Sequence, residues 1–249
     1  MQVLLEEDRH WWFATRTRAI LTYLDMFVGT QGRETRRLLD VGCGAGNMAH
    51  HLRLYGRYMG VDINTKPLRV ARERHLPVIE GSADALPVRA EAFDLVTLLD
   101  TVEHVPNEHG VFSEVHRVLK PGGKLLVTVP AFMFLWSKND VLNRHQRRYR
   151  RLELVHKLNT HGFRVLRSSY NNFFIFPLAA AVIVARRGRL EPDLASPHFD
   201  EEAYQVEMEP TPEPLNTLLH GVGRFEAGFL RRFNFPWGTG IIAIAEKVA

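Results

Sequence analysis

Three glycines and two aspartates define the chemistry this sequence can support. A β-rich run from Arg37 to Val41 (RLLDV) leads into Asp40-Val41-Gly42-Cys43-Gly44-Ala45-Gly46, and a helix is expected from Asn47 to Leu54. Glycines at such a strand-to-helix turn let the chain bend tightly and let a ligand press against bare backbone, with the helix N-terminus facing it. Asp62 closes the next β-rich run, where a carboxylate can accept hydrogen bonds from both ribose hydroxyls of an adenosine. The spacing of the glycines selects among adenosine ligands. A dinucleotide fingerprint needs glycines at the first, third and sixth positions, but the sixth position is Asn47 and the last glycine comes one place early, at Gly46. Asp40 agrees, because a carboxylate at that strand end repels a pyrophosphate and suits a ligand with a cationic amino end.

The elements that must position these residues alternate between short apolar β-rich runs and helical stretches, the pattern of a parallel α/β sheet. The runs are 37–41, 59–63, 77–80, 93–99, 124–130 and 163–169, with a seventh at 241–248. Phe112, Val115 and Leu119 mark one face of a helix stopped by Lys120-Pro121-Gly122-Gly123. Leu154, Val155 and Leu158 form the stripe of another, from Arg151 to His161, ended by Gly162.

The segments LLDVGCGAG, GVDI, the ALP of ADALPV, FDLVTLLDTVEHV and VLKPGGKLLVTVP resemble, in order and spacing, the successive motifs of the class I S-adenosylmethionine-dependent methyltransferases, type 11-like. The flanks HWWF, LWSKNDVLNRHQRRYRRLEL and FNFPWGTGIIAIAEK resemble a narrower subgroup. The resemblance implies a Rossmann-like three-layer α/β sandwich with a seven-stranded sheet of order 3-2-1-4-5-7-6, strand 7 antiparallel. It implies S-adenosylmethionine as cofactor and S-adenosylhomocysteine as product. Carried over position by position, Asp40, Gly42 and Gly44 line the methionine end, Gly46 belongs to the same cofactor-binding loop, and Asp62 with Ile63 holds the ribose and one adenine face. Ala83 contributes backbone to the adenine, and Leu99 and Asp100 close the methionine end. Related enzymes place an acid where Ser82 stands, so Asp84, the nearest acid, is the candidate for the adenine amino group.

Composition bounds the rest. With 45% hydrophobic and 24% charged residues the chain is ordinary globular material, and its single cysteine, Cys43, allows no intramolecular disulfide. The acidic N-terminal stretch lacks the features of an export signal, so a cytoplasmic location is expected. Cys43 reads as a small packed residue rather than a nucleophile, since no group that would lower its pKa is evident nearby. His50 and His51 are neighbours on a helix, no metal-binding spacing such as HExxH occurs, and no metal is expected. The net charge of +4 favours anionic partners without pointing to nucleic acid.

For the acceptor, methyl transfer from a sulfonium needs chiefly a nucleophile that is close, aligned and dry. His104 and His145 are the candidate bases. The stretch from Asn143 to Arg151 offers Arg144, Arg147, Arg148 and Tyr149 as substrate contacts, through guanidinium forks to a phosphate or carboxylate and an aromatic wall; a solvated basic face is the plainer reading. A single domain, 1–249, is expected, with an N-terminal helical lid at 1–30, where Trp11 or Trp12 contacts the cofactor, and an inserted cover at 170–237. In that cover an uncharged run, 173–185, precedes Arg186-Arg187-Gly188-Arg189, so 173–189 reads either as a roof over the site or as a peripheral contact with anionic membrane at its inner face. Residues 191–214 read as a mobile connector and 215–230 as a helix. Together these imply transfer to an oxygen or nitrogen of a small or amphiphilic, anionic or lipid-like acceptor. The alternative is an accessory protein that binds S-adenosylmethionine without catalysis.

Overall fold

The computed structural model describes residues 9–186 and 211–248. Along the chain run α1 (Trp11–Phe27), β1 (Arg37–Val41), α2 (Ala49–Leu52), β2 (Arg57–Asp62), α3 (Thr65–Glu73), β3 (Val78–Glu80), β4 (Phe93–Leu99), α4 (Glu108–Val118), β5 (Leu119–Pro130), α5 (Lys138–Leu142), α6 (Arg151–Thr160), β6 (Phe163–Asn171), α7 (Phe176–Arg186), α8 (Glu213–Leu230) and β7 (Gly240–Lys247). The strands form one sheet of order β3-β2-β1-β4-β5-β7-β6, with β7 antiparallel to both β5 and β6. This is the expected architecture.

The central strands are covered on both faces, which is why they read as nearly unbroken apolar runs. Leu38, Leu39, Leu95, Val96, Leu98, Leu125, Leu126, Val127 and Ile241 through Ala245 are all buried in one core. Their carboxyl ends define the crevice where the glycine loop sits.

Local differences from the sequence reading have identifiable causes. The helix expected at 47–54 is reduced to the single turn Ala49–Leu52, because Gly42, Gly44 and Gly46 all take positive φ and keep the preceding loop in turns. Arg74 holds that loop open, donating to the Ala45 carbonyl at 2.9 Å and to Asn47 Oδ1 at 2.6 Å. β5 begins earlier than 124, at Leu119: Phe93 pairs with Leu119 and Leu95 with Lys124, so Lys120 to Gly123 bulge out of the ladder.

The two flanking segments meet. Trp11 N donates to Asn216 Oδ1 (3.0 Å), an Arg18 guanidinium nitrogen lies 2.9 Å from His220 Nδ1, and a side chain at Gly223 would collide with Thr15, so α1 and α8 pack as a pair. Buried Glu226 of α8 accepts from Asn172 N (2.5 Å) and Phe174 N (3.3 Å), tying that pair to the exit of β6. The uncharged run becomes α7, which leaves Leu178, Val182 and Val184 exposed. Arg187 to Arg189 and nearly all of the expected connector at 191–214 lie outside the described residues. No helix among the described residues is long and apolar enough to cross a membrane.

Candidate active site

β1 delivers Asp40 to the floor of the crevice. Its carboxylate is buried and accepts from Thr97 Oγ1 (2.7 Å) on β4 and from Tyr58 OH (3.3 Å) on β2. Burial pushes its pKa up to about 6, against the opposing pull of those two hydroxyls and of Arg16. The chain then turns at Gly42 (φ +77), where a Cβ would run into Thr101, and that threonine donates to the Val41 carbonyl. At Gly44 a Cβ would meet nothing within 4 Å, so this backbone faces open space. At Gly46 (φ +75) a Cβ would strike Leu76, so packing as well as conformation requires glycine.

Asp62, at the end of β2, uses both oxygens: Oδ2 accepts from Gly44 N (2.8 Å) and Oδ1 from Asn64 N (2.8 Å). It therefore fixes the glycine loop to the start of α3. The next side chain, Ile63, is 69% exposed, which leaves its apolar surface accessible beside Asp62. On the adjoining loop Ala83 is buried and the Ser82 hydroxyl donates to Asp84 Oδ1. The serine that departs from the expected acid thus holds the acid two positions later.

Leu99, expected with Asp100 at the methionine end, lines the crevice, and Asp100 follows it. Asp100 takes φ +52; its amide donates to Thr128 Oγ1 (3.1 Å) and its Oδ1 accepts from the same hydroxyl (2.9 Å). Its other oxygen pairs with Arg16 Nε at 2.5 Å. Arg16, Phe13 and Thr17 occupy one face of α1 and line the crevice with Asp40, Gly42, Cys43 and Leu99. The Trp11 indole, expected with Trp12 at the cofactor, donates to Thr211, just before α8. The spacing of Phe13, Arg16 and Thr17, three and four residues apart, is the helical signal that would have found this face. Burial raises the Cys43 thiol to about 12, consistent with a packed residue.

Beyond Asp100 the chain makes a short 3₁₀ turn, Val102–His104, and here the structure joins both candidate histidines. The His104 and His145 rings lie edge to face with centroids 4.6 Å apart. Gln146 N donates to the Glu103 carbonyl (2.8 Å), clamping the two segments together. His145 Nδ1 lies 2.9 Å from Asp140 Oδ1. Desolvation and the neighbouring His145 hold the His104 imidazole below its ordinary value. Glu103, which sequence reasoning missed, brings a carboxylate oxygen within 4.8 Å of a ring nitrogen of each; it is fully buried, and burial drives its carboxyl well above the usual range.

The arginine-rich stretch is largely spent on structure. Arg148 grips buried Asp140 with two nitrogens, at 2.7 and 2.8 Å, and Arg147 bonds the Pro106 carbonyl and pairs with Glu108. Burial alone would raise Asp140, but His145 and Arg148 outweigh it and hold the carboxyl well below the usual range. Tyr149 is fully buried and its hydroxyl donates to Glu108, so it cannot form an aromatic wall for an acceptor. Arg144, exposed at φ +54, is the member of the set that remains on the surface. The His50 and His51 ring centroids lie 3.8 Å apart.

Comparison with known proteins agrees with this geometry. Residues 39–127 match the methyltransferase domain family. The ubiquinone biosynthesis O-methyltransferase of Dechloromonas aromatica (strain RCB) is 32% identical over 119 residues, covering 43% of this chain and 49% of that protein. Its namesake in Pseudomonas syringae pv. tomato is 36% identical over 101 residues, 36% of this chain and 42% of the relative. The chain thus matches about half the length of these curated relatives, or less. Among solved structures, an S-adenosylmethionine-dependent methyltransferase from Thermotoga maritima superposes with a TM-score of 0.56 over 95% of this chain and 92% of its own, at 21% identity. One from Methanosarcina mazei gives 0.54 over 88% and 95%, at 15% identity, a likeness of fold. Residues 39–127 thus match the methyltransferase domain family, and the chain has the fold seen in class I S-adenosylmethionine-dependent methyltransferases.

Proposed function

We propose that this protein transfers the methyl group of S-adenosylmethionine to an oxygen of a small amphiphilic acceptor. The observation that carries the reading is the crevice lined by Phe13, Arg16, Thr17, Asp40, Gly42 and Leu99, with Asp62 bonded to the open Gly44 backbone of the same loop and the Glu103, His104 and His145 group following from the turn after Asp100. The donor set fits the cofactor. Asp40 and the backbone of Gly42, Leu99 and Asp100 would hold the cationic amino acid end, Asp62 the ribose, and Ile63, Ala83 and Asp84 the adenine. When bound, S-adenosylmethionine supplies an electrophilic methyl group on a sulfonium.

The chain's own contribution is to orient and to exclude water. α1 covers the crevice through Phe13, Arg16 and Thr17, and its pairing with α8 makes the two segments one lid. Oxygen as the attacking atom is favoured by the matching relatives, both O-methyltransferases. An apolar tail on the acceptor is favoured by the exposed side chains of Met133, Phe134 and Leu178, Met133 accepting from Arg148 N at 3.3 Å. The same surface would suit contact with a membrane that holds such acceptors.

The test is incubation of the purified protein with methyl-labelled cofactor and a series of catechols carrying alkyl tails of increasing length. Label is expected in an organic-extractable ether, with KM falling as the tail lengthens. Cofactor binding without label transfer to any catechol, or to any fraction of a cell extract, would instead fit a non-catalytic accessory protein.

A further inference from the structure

We propose that Glu103, His104 and His145 form a binding site for a divalent transition-metal cation; its role in holding the acceptor oxygen rests on the crevice reading above. One ligand atom from each residue lies within 4.8 Å of the other two. Metal bonds of about 2.0–2.2 Å to nitrogen and oxygen would close this triangle with small side-chain adjustments.

Glu103 supplies the strongest argument. Its carboxylate is completely buried, and neither oxygen has a hydrogen-bond partner among the described residues. A buried carboxyl group left unsatisfied is strongly disfavoured, and native structures pair such groups with a cation, a donor or a metal. The nearby guanidinium groups are already committed, Arg16 to Asp100 and Arg148 to Asp140. A cation between Glu103 and the two imidazoles would satisfy it.

His145 is oriented as a ligand would be. Its Nδ1 faces Asp140 at 2.9 Å, leaving Nε2 available, and Asp140 is itself fixed by Arg148 and by the Ser137 amide. A carboxylate behind the imidazole is the usual support of a metal-bound histidine. His104, from the 3₁₀ turn, meets it edge to face, which lets two ring nitrogens converge. One carboxylate and two imidazoles suit Zn²⁺ or Mn²⁺ better than Mg²⁺ or Ca²⁺, and leave coordination positions open. The spacing gave no sign of this because the ligands come from two loops far apart in the chain.

An acceptor hydroxyl at an open position would lose its proton more readily. That proton passes to water, an oxygen lone pair forms the new bond to the methyl carbon, and the methyl–sulfur bond breaks with its electrons staying on sulfur, giving S-adenosylhomocysteine.

The experiment uses the whole protein, stripped with chelator and dialysed, titrated with Zn²⁺, Mn²⁺ and Mg²⁺ by calorimetry and, for Mn²⁺, by electron paramagnetic resonance. One Zn²⁺ or Mn²⁺ per chain is expected, with affinity reduced at least about 100-fold in Glu103→Gln and in His104→Ala. S-adenosylmethionine binding should persist in each variant, and His104, being exposed, gives a variant that folds if the buried one does not. Absence of saturable binding in the wild-type chain, or wild-type affinity in both variants, overturns the site. Stoichiometric metal binding with methylation equally fast in stripped protein overturns the catalytic role alone. Metal binding without methylation of any acceptor leaves the site standing and counts against the proposed activity.

Discussion

Arg16 Nε and Asp100 Oδ2 meet at 2.5 Å, joining the first helix of the chain to the loop after β4 across the mouth of the crevice. The pair sits partly in solvent, with side chains 21% and 39% exposed, so it contributes about 0–1 kcal/mol to folding. Its importance lies in where it holds α1. Arg16→Ala should change the melting temperature little while weakening cofactor binding several-fold, as calorimetry would show. An unchanged dissociation constant would mean that α1 covers the crevice without help from this contact.

Asp62 has the opposite profile. Both of its oxygens accept from backbone amides, Gly44 and Asn64, so its loss releases the glycine loop as well as any ribose contact. Hydrogen bonds to a charged group contribute about 1.5–3 kcal/mol each. Asp62→Ala should therefore weaken cofactor binding by about 10–100-fold, whereas calorimetry showing wild-type affinity would remove Asp62 from the site.

Asp40 predicts a pH dependence with a definite sign. Burial raises its pKa from 3.8 to about 6 in the folded chain, with Thr97, Tyr58, Arg16 and Asp62 as the neighbours that modify it. The folded state therefore holds this proton more tightly than the unfolded state between those values. Stability from this group declines as pH rises through that window, by up to about 3 kcal/mol, and is level above it. Cofactor binding should run the other way, because a cationic amino group favours the ionised carboxylate, so affinity should rise as pH passes from 5 to 7. Denaturant titrations and calorimetry across pH 4–8 would check both slopes, and Asp40→Asn should flatten this group's contribution to each.

The sheet was legible because its strands are buried on both faces and therefore announce themselves as apolar runs, from RLLDV to IIAIA. The glycine loop was legible because only glycine tolerates what Gly42 and Gly46 meet there. Arg148 and Tyr149 were misjudged for a physical reason: an arginine in a basic stretch looks free until the buried partner is known, and Asp140 is eight residues away around a turn. Glu103 was passed over because burial of a carboxylate without a partner cannot be read from its neighbours in sequence. Arg16 was missed because a single arginine in a helix carries no motif that marks it, and its partner Asp100 lies 84 residues further along the chain.

Glu226 tests whether the late helix belongs to the lid. It is 2% exposed, its carboxylate accepts from the amides of Asn172 and Phe174, and Asn172 takes φ +61 in the turn that leaves β6. Removing the carboxylate leaves two amides unsatisfied in a buried turn, a cost of about 1–3 kcal/mol for each group. Glu226→Gln keeps an acceptor oxygen in place and should cost much less. Because α8 packs along α1, loosening α8 in Glu226→Ala should also loosen Arg16 over the crevice. The expected signature is a lowered melting temperature together with faster amide exchange in both α1 and α8, largely restored in Glu226→Gln. Faster exchange confined to α8 would show that the two helices open independently and that α1 alone covers the crevice.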